Sequence, residues 1–529
     1  MAEEKQSLLY KLKPITDRMP AVRRPEGHVH FRTKIMWVIL ILLMYFGLTN
    51  IWLYGLERST VVDFFSSLRA ILAGQQGSLM HLGIGPIVTG SIIMQLFAGA
   101  KIIKLDLTKD EDKSVYQGTQ KLVVVIMIFV EAVPQVFGFL TPAPSFISGL
   151  EGVWQGNGKN LALGLLVAQL VVGSYLVFLM DEVVSKWGIG SGISLFIAAG
   201  VAQQIFTGTF NWEPSTPNQA VSIDNPPAGT IPKTFYLLSN MNAGQLAGGG
   251  LETILLRQPN PVVALVGTII IFFLVAYLES TRIELPLAHG QARGARGRYP
   301  IRLIYASNIP VILVAAVLAN VSMFSLLFWQ HPEWPIVGRN WLIGAYPDPV
   351  MLRANPQLSA STPIGGLAWY TQTINGPTSW LMPLVSPAGY EAVLLGHSQW
   401  QLLLHLFIYV LVFVGGSILF SRFWIETTNM GPEAVARQIE RSGMQIPGFR
   451  RDPRVLRRVL GRYIPVVTVI GGAGVGALAA GADMIGTVGQ ASGTGVLLTV
   501  GIMIQLFEAI GREQMMEMHP ILRSFFGVE

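Results

Sequence analysis

"GSLMHLGIGPIVTGSIIMQLFAGAKII", residues 77–103, decides how the chain is read. Its run is apolar enough for a bilayer, yet Gly83, Gly85 and Pro86 crowd its start, and Thr89, Ser91 and Gln95 interrupt it. About 16 residues separate Gly85 from Lys101, fewer than the ~20 an α-helix needs to cross hydrocarbon. Backbone that leaves the helix inside a bilayer is tolerated only when buried in protein or facing a water-filled cavity. Pro86 suits the first turn of a helix, so a helix is expected to start there, partway into the membrane and beside a wet space. Small and hydroxyl residues also permit close helix packing, and this stretch alone leaves both readings open.

The neighbouring sequence extends the pattern. In "ERSTVVDFFSSLRAILAGQQG" (57–77), Ser59 or Thr60 can cap a helix, with Asp63 in its first turn and Gly74 near its end. About 13 helical residues rise only ~20 Å, so the expectation is a hairpin that enters from outside and continues as residues 84–100. "KWGIGSGISLFIAAGVAQQIF" (186–206) repeats the theme: Gly188, Gly190 and Gly192 precede a helix whose Ile193 and Ile197 share a face. Ile84 and Val88 have the same spacing. Two glycine-rich entries, each leading to a β-branched pair, are compatible with a narrow apolar constriction between wet vestibules. They are equally compatible with ordinary isoleucine packing.

The whole chain fits a membrane setting. Of 529 residues 51% are hydrophobic and 13% charged, against the ~25% charged of soluble domains. The absence of cysteine excludes a disulfide framework and thiolate metal sites. No cleavable leader is apparent, because residues 1–34 are polar and the first apolar run starts near Ile35. "SLLYKLKPI" within that tail is mildly amphipathic and suits a membrane surface or a loose basic tail.

Apolar segments lie near 35–54, 84–100, 121–140, 160–180, 189–207, 260–279, 301–328, 401–424, 463–482 and 491–510. Trp37 and Trp52 bracket the first, and Trp400 and Trp424 the eighth, as interfacial belts do. With ten crossings, 30 of the 37 Lys and Arg fall on one face, leaving Arg58, Arg69, Lys159, Lys233, Arg257, Arg339 and Arg353 opposite. Positive charge favours the cytoplasm, which is where both termini are expected. The net charge of +6 thus needs no nucleic acid. Segment 329–399 is the risk to this count: a dip into the membrane preserves it, whereas a full crossing inverts everything after.

The residues resemble those of the SecY family, the channel-forming α subunit of the Sec protein translocon. "LGIGPIVTGSIIMQLFAGAKII" (82–103) is similar to its second span, "GSGISLFIAAGV" (190–201) to its fifth, "YPIRLIYASNIPVILVAA" (299–316) to its seventh and "GTGVLLTVGIMIQLFE" (493–508) to its tenth. The loops "RIELPLAHGQARGARGRYP" (282–300) and "MQIPGFRRDP" (444–453) resemble the family's as well. The similarity covers nearly the whole chain and is closer to archaeal and eukaryotic members than to bacterial ones, archaeal above all. Segments 208–258 and 329–399 carry least of it.

The resemblance implies an all-α membrane protein of ten helices, in two inverted five-helix halves around an hourglass pore. The division expected is a cytoplasmic segment 1–34, an N-terminal half 35–207, an external loop 208–258, a C-terminal half 259–510 and a cytoplasmic tail 511–529. The C-terminal half would carry the external insert 329–399 and cytoplasmic loops 280–300 and 425–462. The pore ring implied is Ile84, Val88, Ile193, Ile197, Ile312 and Leu498. A plug helix is implied at about 60–72, with Thr60, Val61, Val62, Phe64, Phe65, Leu68 and Ile71. A lateral gate between spans two and three and spans seven and eight would present Thr89, Glu131 and Asn308, Glu131 standing where eukaryotic members carry glutamine. Unfolded polypeptides would cross the cytoplasmic membrane through the pore, and hydrophobic segments such as signal sequences would leave sideways into lipid. Implied partners are a clamping SecE/γ subunit, a small peripheral β subunit and the ribosome, which meets Arg293 and Arg450 through ribosomal RNA and proteins. No cofactor, metal or enzymatic activity is implied.

The physics of these roles stands independently. Stiff β-branched and leucine side chains can seal a narrow passage by dewetting it, and offer a passing chain no specific hydrogen bond. Polar gate residues weaken an apolar seam, so it can part. Ionised Glu131 inside a membrane is costly and should face water or be protonated. Arginines suit phosphate contacts that weaken with salt; topology anchoring accounts for much of the same charge. No P-loop occurs, since "GNGKN" (156–160) has Val153 where the first glycine belongs. Driving force must then come from elsewhere, such as chain elongation.

Two rivals belong to other classes. A secondary transporter also uses broken helices, but needs embedded ionisable groups, and Glu131 is the clear mid-span candidate, with Asp483 and Glu508 near span ends. An intramembrane serine protease would pair Ser191 with His405, but a G-x-S-G motif would need glycine at Ile189, and no H-E-x-x-H occurs.

Overall fold

A computed structural model describes residues 8–57, 72–99, 102–103, 105, 109–152, 156–216, 219–289, 296–302, 308–333, 338–354, 360–428, 430–441, 444–445, 453–489 and 491–518. Its framework is α1 (Phe31–Thr49), α2 (Gly85–Gly99), α3 (Asp110–Phe139), α4 (Gly158–Trp187) and α5 (Gly192–Phe210). These are followed by α6 (Val262–Ser280), α7 (Ile309–Gln330), α8 (Gln399–Thr427), α9 (Pro453–Ile485) and α10 (Gly493–Met518). Among the described residues nine of these are long and apolar enough to span a bilayer, while α2 has 15 residues. At ~1.5 Å per residue α2 covers roughly three quarters of a ~30 Å hydrocarbon core.

The turn before α2 shows why its sequence is broken. Ile84 N–H donates to Leu72 O at 2.8 Å, which draws the chain back against the preceding strand of backbone. Gly83 sits at φ +55°, and a Cβ there would lie 2.1 Å from Leu72 O. Only glycine meets both demands. A Cβ on Gly85 would already lie 2.9 Å from Glu131 Oε2.

Helices α1–α5 meet α6–α10 along two seams. At one, α2 packs against α7 and α8, and α3 touches α7; at the other, α5 packs against α10. A single large apolar cluster draws side chains from all ten helices, including Tyr45, Ile92, Phe196, Val275, Tyr409 and Val475. A separate cluster under the outer loops joins Leu53 and Leu82 to Ala132 and Val136 of α3 and to Leu163, Leu166 and Leu170 of α4. Helix–helix association in lipid gains little from hydrophobicity and depends on close packing. The loop before α2 packs as closely on a helix: a Cβ on Gly173 of α4 would stand 1.9 Å from Leu79 O.

Outside the bundle the structure departs from the sequence reading in two places. The apolar segment expected at 301–328 begins as a strand: β1 (Arg282–His289) pairs antiparallel with β2 (Arg296–Arg302), Leu285 opposite Tyr299, and α7 starts only at Ile309 with Pro310 in its first turn. β3 (Met444–Gln445) adds to β1, so the order is β2-β1-β3 and the two basic loops are joined. The stretch 425–462, expected as loop, is largely helical. Helix Pro432–Arg441 and the first turns of α9 bury Val435, Ala436, Ile439, Leu456, Leu460 and Ile464 against Ile425 of α8. The i, i+4 spacing of Leu456, Leu460 and Ile464 makes one apolar face, while the arginines between them lower the local hydropathy that marks a span.

Segment 329–399 contains, among its described residues, only helices of up to 9 residues. None is long enough to cross. It is nonetheless seated on the bundle: Ile374 enters the main cluster, Gly376 N–H donates to Asp483 O at 2.9 Å, and Tyr346 and Ser325 hydroxyls lie 2.6 Å apart. On the opposite side, residues 20–24 are strapped across the end of α4. Val22 N–H donates to Glu182 Oε2 at 2.8 Å, and Lys186 Nζ donates to Val22 O at 2.6 Å. Lys121 of α3 also pairs with Glu182.

Candidate pore ring and polar seam

Four helices bring the ring residues together by similar means. α2 and α7 each begin with a proline in the first turn, Pro86 and Pro310, and Val88 and Ile312 follow two residues later. α5 and α10 each begin at the glycine of a Ser-Gly pair, and Ile197 and Leu498 lie six residues after Ser191 and Ser492. Each of these four side chains thus sits within the first two turns of its helix. Ile84, Ile197 and Leu498 are 0% exposed, and Val88 and Ile312 are also buried. All five belong to the main apolar cluster, and Ile193 packs against it partly buried. The structure therefore gathers all six into one apolar cluster.

The seam between α2–α3 and α7 is polar at one level. Asn320 Nδ2 of α7 donates to Thr89 Oγ1 of α2 at 3.1 Å, and Thr89 Oγ1 donates to Gly85 O at 2.9 Å within its own helix. Glu131 of α3 lies within hydrogen-bonding reach of Thr89 and is 5% exposed. Its Oε1 meets no donor among the described residues. A cavity of about 30 Å³ opens beside it, lined in part by Gly85, Thr89, Gln135, Asn320 and Met323. That is room for about one water molecule. Gln135 Nε2 adds a contact to Met323 Sδ at 3.6 Å, from α3 to α7.

Asn308 does not join this group. It occupies the position before α7 without a side-chain cap hydrogen bond, packed against Gly501 of α10 and near Glu279 of α6, where a Cβ on Gly501 would come 1.7 Å from Asn308 Nδ2 and 2.8 Å from Glu279 Oε1. The residue that meets Thr89 is Asn320, three turns further along the same helix, which the sequence reading did not single out. The resemblance centred on "SNIP" (307–310) drew attention to the first asparagine; only the helix register shows that the second faces α2.

Other candidates fall as follows. Thr60, Val61, Val62, Phe64, Phe65, Leu68 and Ile71, and likewise Arg293 and Arg450, lie outside the described residues. Ser191 is hydrogen-bonded to Asp181, whereas His405 Nε2 contacts Gln372 O at 3.2 Å and its ring packs 4.5 Å from Trp369. These two side chains serve different neighbours and form no nucleophile–base pair. Asp483 is spent on Tyr409 and Thr494. Among the described residues no cluster of three metal-ligating side chains occurs.

Comparisons with known proteins agree with this geometry. The SecY family profile matches residues 78–507, and one described as the plug domain of Sec61p matches 43–77. The protein translocase subunit SecY of Archaeoglobus fulgidus is 44% identical over 524 residues, covering 99% of each chain. That of Haloferax volcanii is 43% identical, covering 98% of this chain and 99% of its own. Among solved structures, "The structure of a protein conducting channel" aligns with TM-score 0.72 at 34% identity, covering 96% of this chain and 98% of that one. The canine Sec61 of a ribosome–channel complex from the endoplasmic reticulum aligns with TM-score 0.69 at 34% identity, with the same coverage. With a profile spanning most of its length and full-length relatives above 40% identity, this chain belongs to the SecY family.

Proposed function

We propose that the chain is the central subunit of a protein-conducting channel, passing unfolded polypeptides through the bundle and releasing hydrophobic segments into lipid. The observation that supports this is that Ile84, Val88, Ile197, Ile312 and Leu498, from both sides of the bundle, are buried in the one apolar cluster shared by all ten helices, with Ile193 packed against it. Such a collar closes around any side chain without holding it, because it offers no hydrogen bond. Its stiffness and dryness oppose ion flow while it is empty.

The lateral gate is the seam of α2 and α3 against α7 and α8, and its polar residues are Thr89, Glu131 and Asn320. Residues 60–72 act as the plug, both termini face the cytoplasm, and the membrane is the cytoplasmic one. A SecE/γ subunit clamps the two sets of helices, a small β subunit lies at the periphery, and a ribosome docks on the basic loops at Arg293 and Arg450. The joining of those loops by β1 and β3 supports this, since one small sheet then presents both.

The test is reconstitution of Ile193→Asn and Ile312→Asn variants in vesicles. Both are expected to leak ions at rest and to accept signal sequences too weak for the unmodified channel. Unaltered conductance and stringency in both refute the collar. Charge reversal at Arg293 and Arg450 together is expected to reduce cosedimentation with ribosomes, with the affinity gap to the unmodified chain widest at low salt, and undiminished binding refutes the docking assignment.

A further inference from the structure

The two helices that enter the collar from opposite sides begin in the same way. At α5, Asp181 near the end of α4 accepts from Ile193 N–H at 3.0 Å, and also from Gly192 N–H and the Ser191 hydroxyl. At α10, Asp483 near the end of α9 accepts from Thr494 N–H at 2.9 Å, Thr494 Oγ1 at 2.7 Å and Gly493 N–H. Tyr409 of α8 adds its hydroxyl to Asp483 at 2.6 Å. In each case a carboxylate from the preceding helix satisfies the orphan amides of a helix start, where negative charge is also favoured by the helix dipole.

Packing repeats with the hydrogen bonds. A Cβ on Gly192 would lie 2.5 Å from Asp181 Cα, and one on Gly493 would lie 2.4 Å from Asp483 N. Both helices therefore start pressed onto the very residue that caps them, leaving little freedom to slide. The held amide of Ile193 lies four residues before Ile197, and that of Thr494 four before Leu498. Both side chains are 0% exposed in the same cluster. One helical turn, ~5.4 Å, separates each cap from its collar side chain.

We infer that Asp181 and Asp483 are positioning residues that fix the height of Ile193, Ile197 and Leu498 along the channel axis. They touch neither a passing chain nor a signal sequence. A slip of one residue at either start, ~1.5 Å along and about 100° around the helix, turns a collar side chain away from its partners. The inference rests on the collar reading above and adds to it the device that sets the register.

The experiment compares resting ion conductance of the reconstituted full-length chain carrying Asp181→Ala, Asp483→Ala, Asp181→Asn, Asp483→Asn or Tyr409→Phe, with Ile312→Asn measured alongside. The alanine variants are expected to leak at least several-fold above the unmodified protein. The asparagine variants keep one acceptor oxygen but lose the charge and the second oxygen that the other donors use, and are expected to leak less than the alanine variants and more than Tyr409→Phe. Tyr409→Phe removes a neighbouring hydrogen bond but no backbone cap, and is expected to stay tight. Alanine variants that conduct no more than Tyr409→Phe overturn the inference. Should they fail to accumulate, the asparagine variants decide: a leak exceeding that of Tyr409→Phe supports the inference, and an equal one overturns it. A leak in Ile312→Asn with none in the aspartate variants sinks the inference alone; no leak in Ile312→Asn sinks the collar, and the inference with it.

Discussion

Replacing Thr89 by valine keeps the side chain's shape and deletes the oxygen that Asn320 Nδ2 meets at 3.1 Å across the α2–α7 seam. Interhelical hydrogen bonds in a membrane contribute about 0.6 kcal/mol on average and up to about 1.7 kcal/mol. At ~1.4 kcal/mol per tenfold, the closed seam loses about 3-fold to about 20-fold in its favour. Asn320 retains Ala316 O at 3.0 Å for one of its two amide N–H groups and is only partly buried, so the loss stays near that range, with the contact of Thr89 to Glu131 lost alongside. A buried methylene is worth ~0.8 kcal/mol. The hydrophobicity a signal segment needs to part the gate should therefore fall by about one or two methylenes. The assay is insertion of a graded series of leucine/alanine segments by Thr89→Val, Asn320→Leu and the double variant. Each single change should move the threshold down, and the second should add little to the first, because both delete the same bond. Unmoved thresholds, or full additivity in the double variant, refute the reasoning.

Other consequences follow from sites outside the seam. Lys233, on helix Thr230–Asn240 between α5 and α6, is 1% exposed and donates to Arg257 O at 2.7 Å and Pro259 O at 2.9 Å. Burial pulls its ammonium down from the ordinary 10.5 to about 8. Between those values the unfolded chain binds more protons than the folded one, so stability rises with pH across that window. Thermal unfolding in detergent should show this slope, and Lys233→Met should flatten it. Gly173→Ala sets a Cβ against Leu79 O, backbone against backbone, and overpacking of this kind costs about 1–3 kcal/mol. Gly164→Ala, on the same helix with nothing within 4 Å, is the control expected to leave the melting temperature unchanged.

The spans are legible because hydropathy survives in one dimension: the apolar runs read from 35, 260 and 401 begin within a few residues of the helix starts at Phe31, Val262 and Gln399. The shortness of α2 was legible for the same reason, with Gly83, Gly85 and Pro86 marking a break that the backbone at Gly83 required. What escaped was information held between helices. Asn308 and Asn320 occupy one apolar helix, and nothing along the chain says which of them faces Thr89. The start of α9 was placed ten residues late, because Arg454, Arg457 and Arg458 mask an apolar stripe that packs on α8 rather than on lipid. β1 and the start of β2 read in sequence as cytoplasmic loop, and Ile301 at the end of β2 reads as the start of the next span, because a strand pairing across that loop leaves no mark in local hydropathy. The kinship of Asp181 with Asp483 was present in the sequence as an acid ahead of Ser-Gly, but gains meaning only when each carboxylate is seen closing on a helix start.

The ends of the stretch between Glu57 and Leu72 are both tied down. Glu57 N–H donates to Thr141 O at 3.1 Å, Ile84 N–H donates to Leu72 O, and the Tyr45 hydroxyl donates to Ala73 O at 2.8 Å. The 14 residues 58–71 join these two anchors covalently. Under the plug proposal above, the return of such a segment would be a first-order event at an effective concentration fixed by the tether and independent of how many channels the membrane holds. Resealing would then be an intrinsic rate constant of the single molecule, set by two anchors and the length of chain between them.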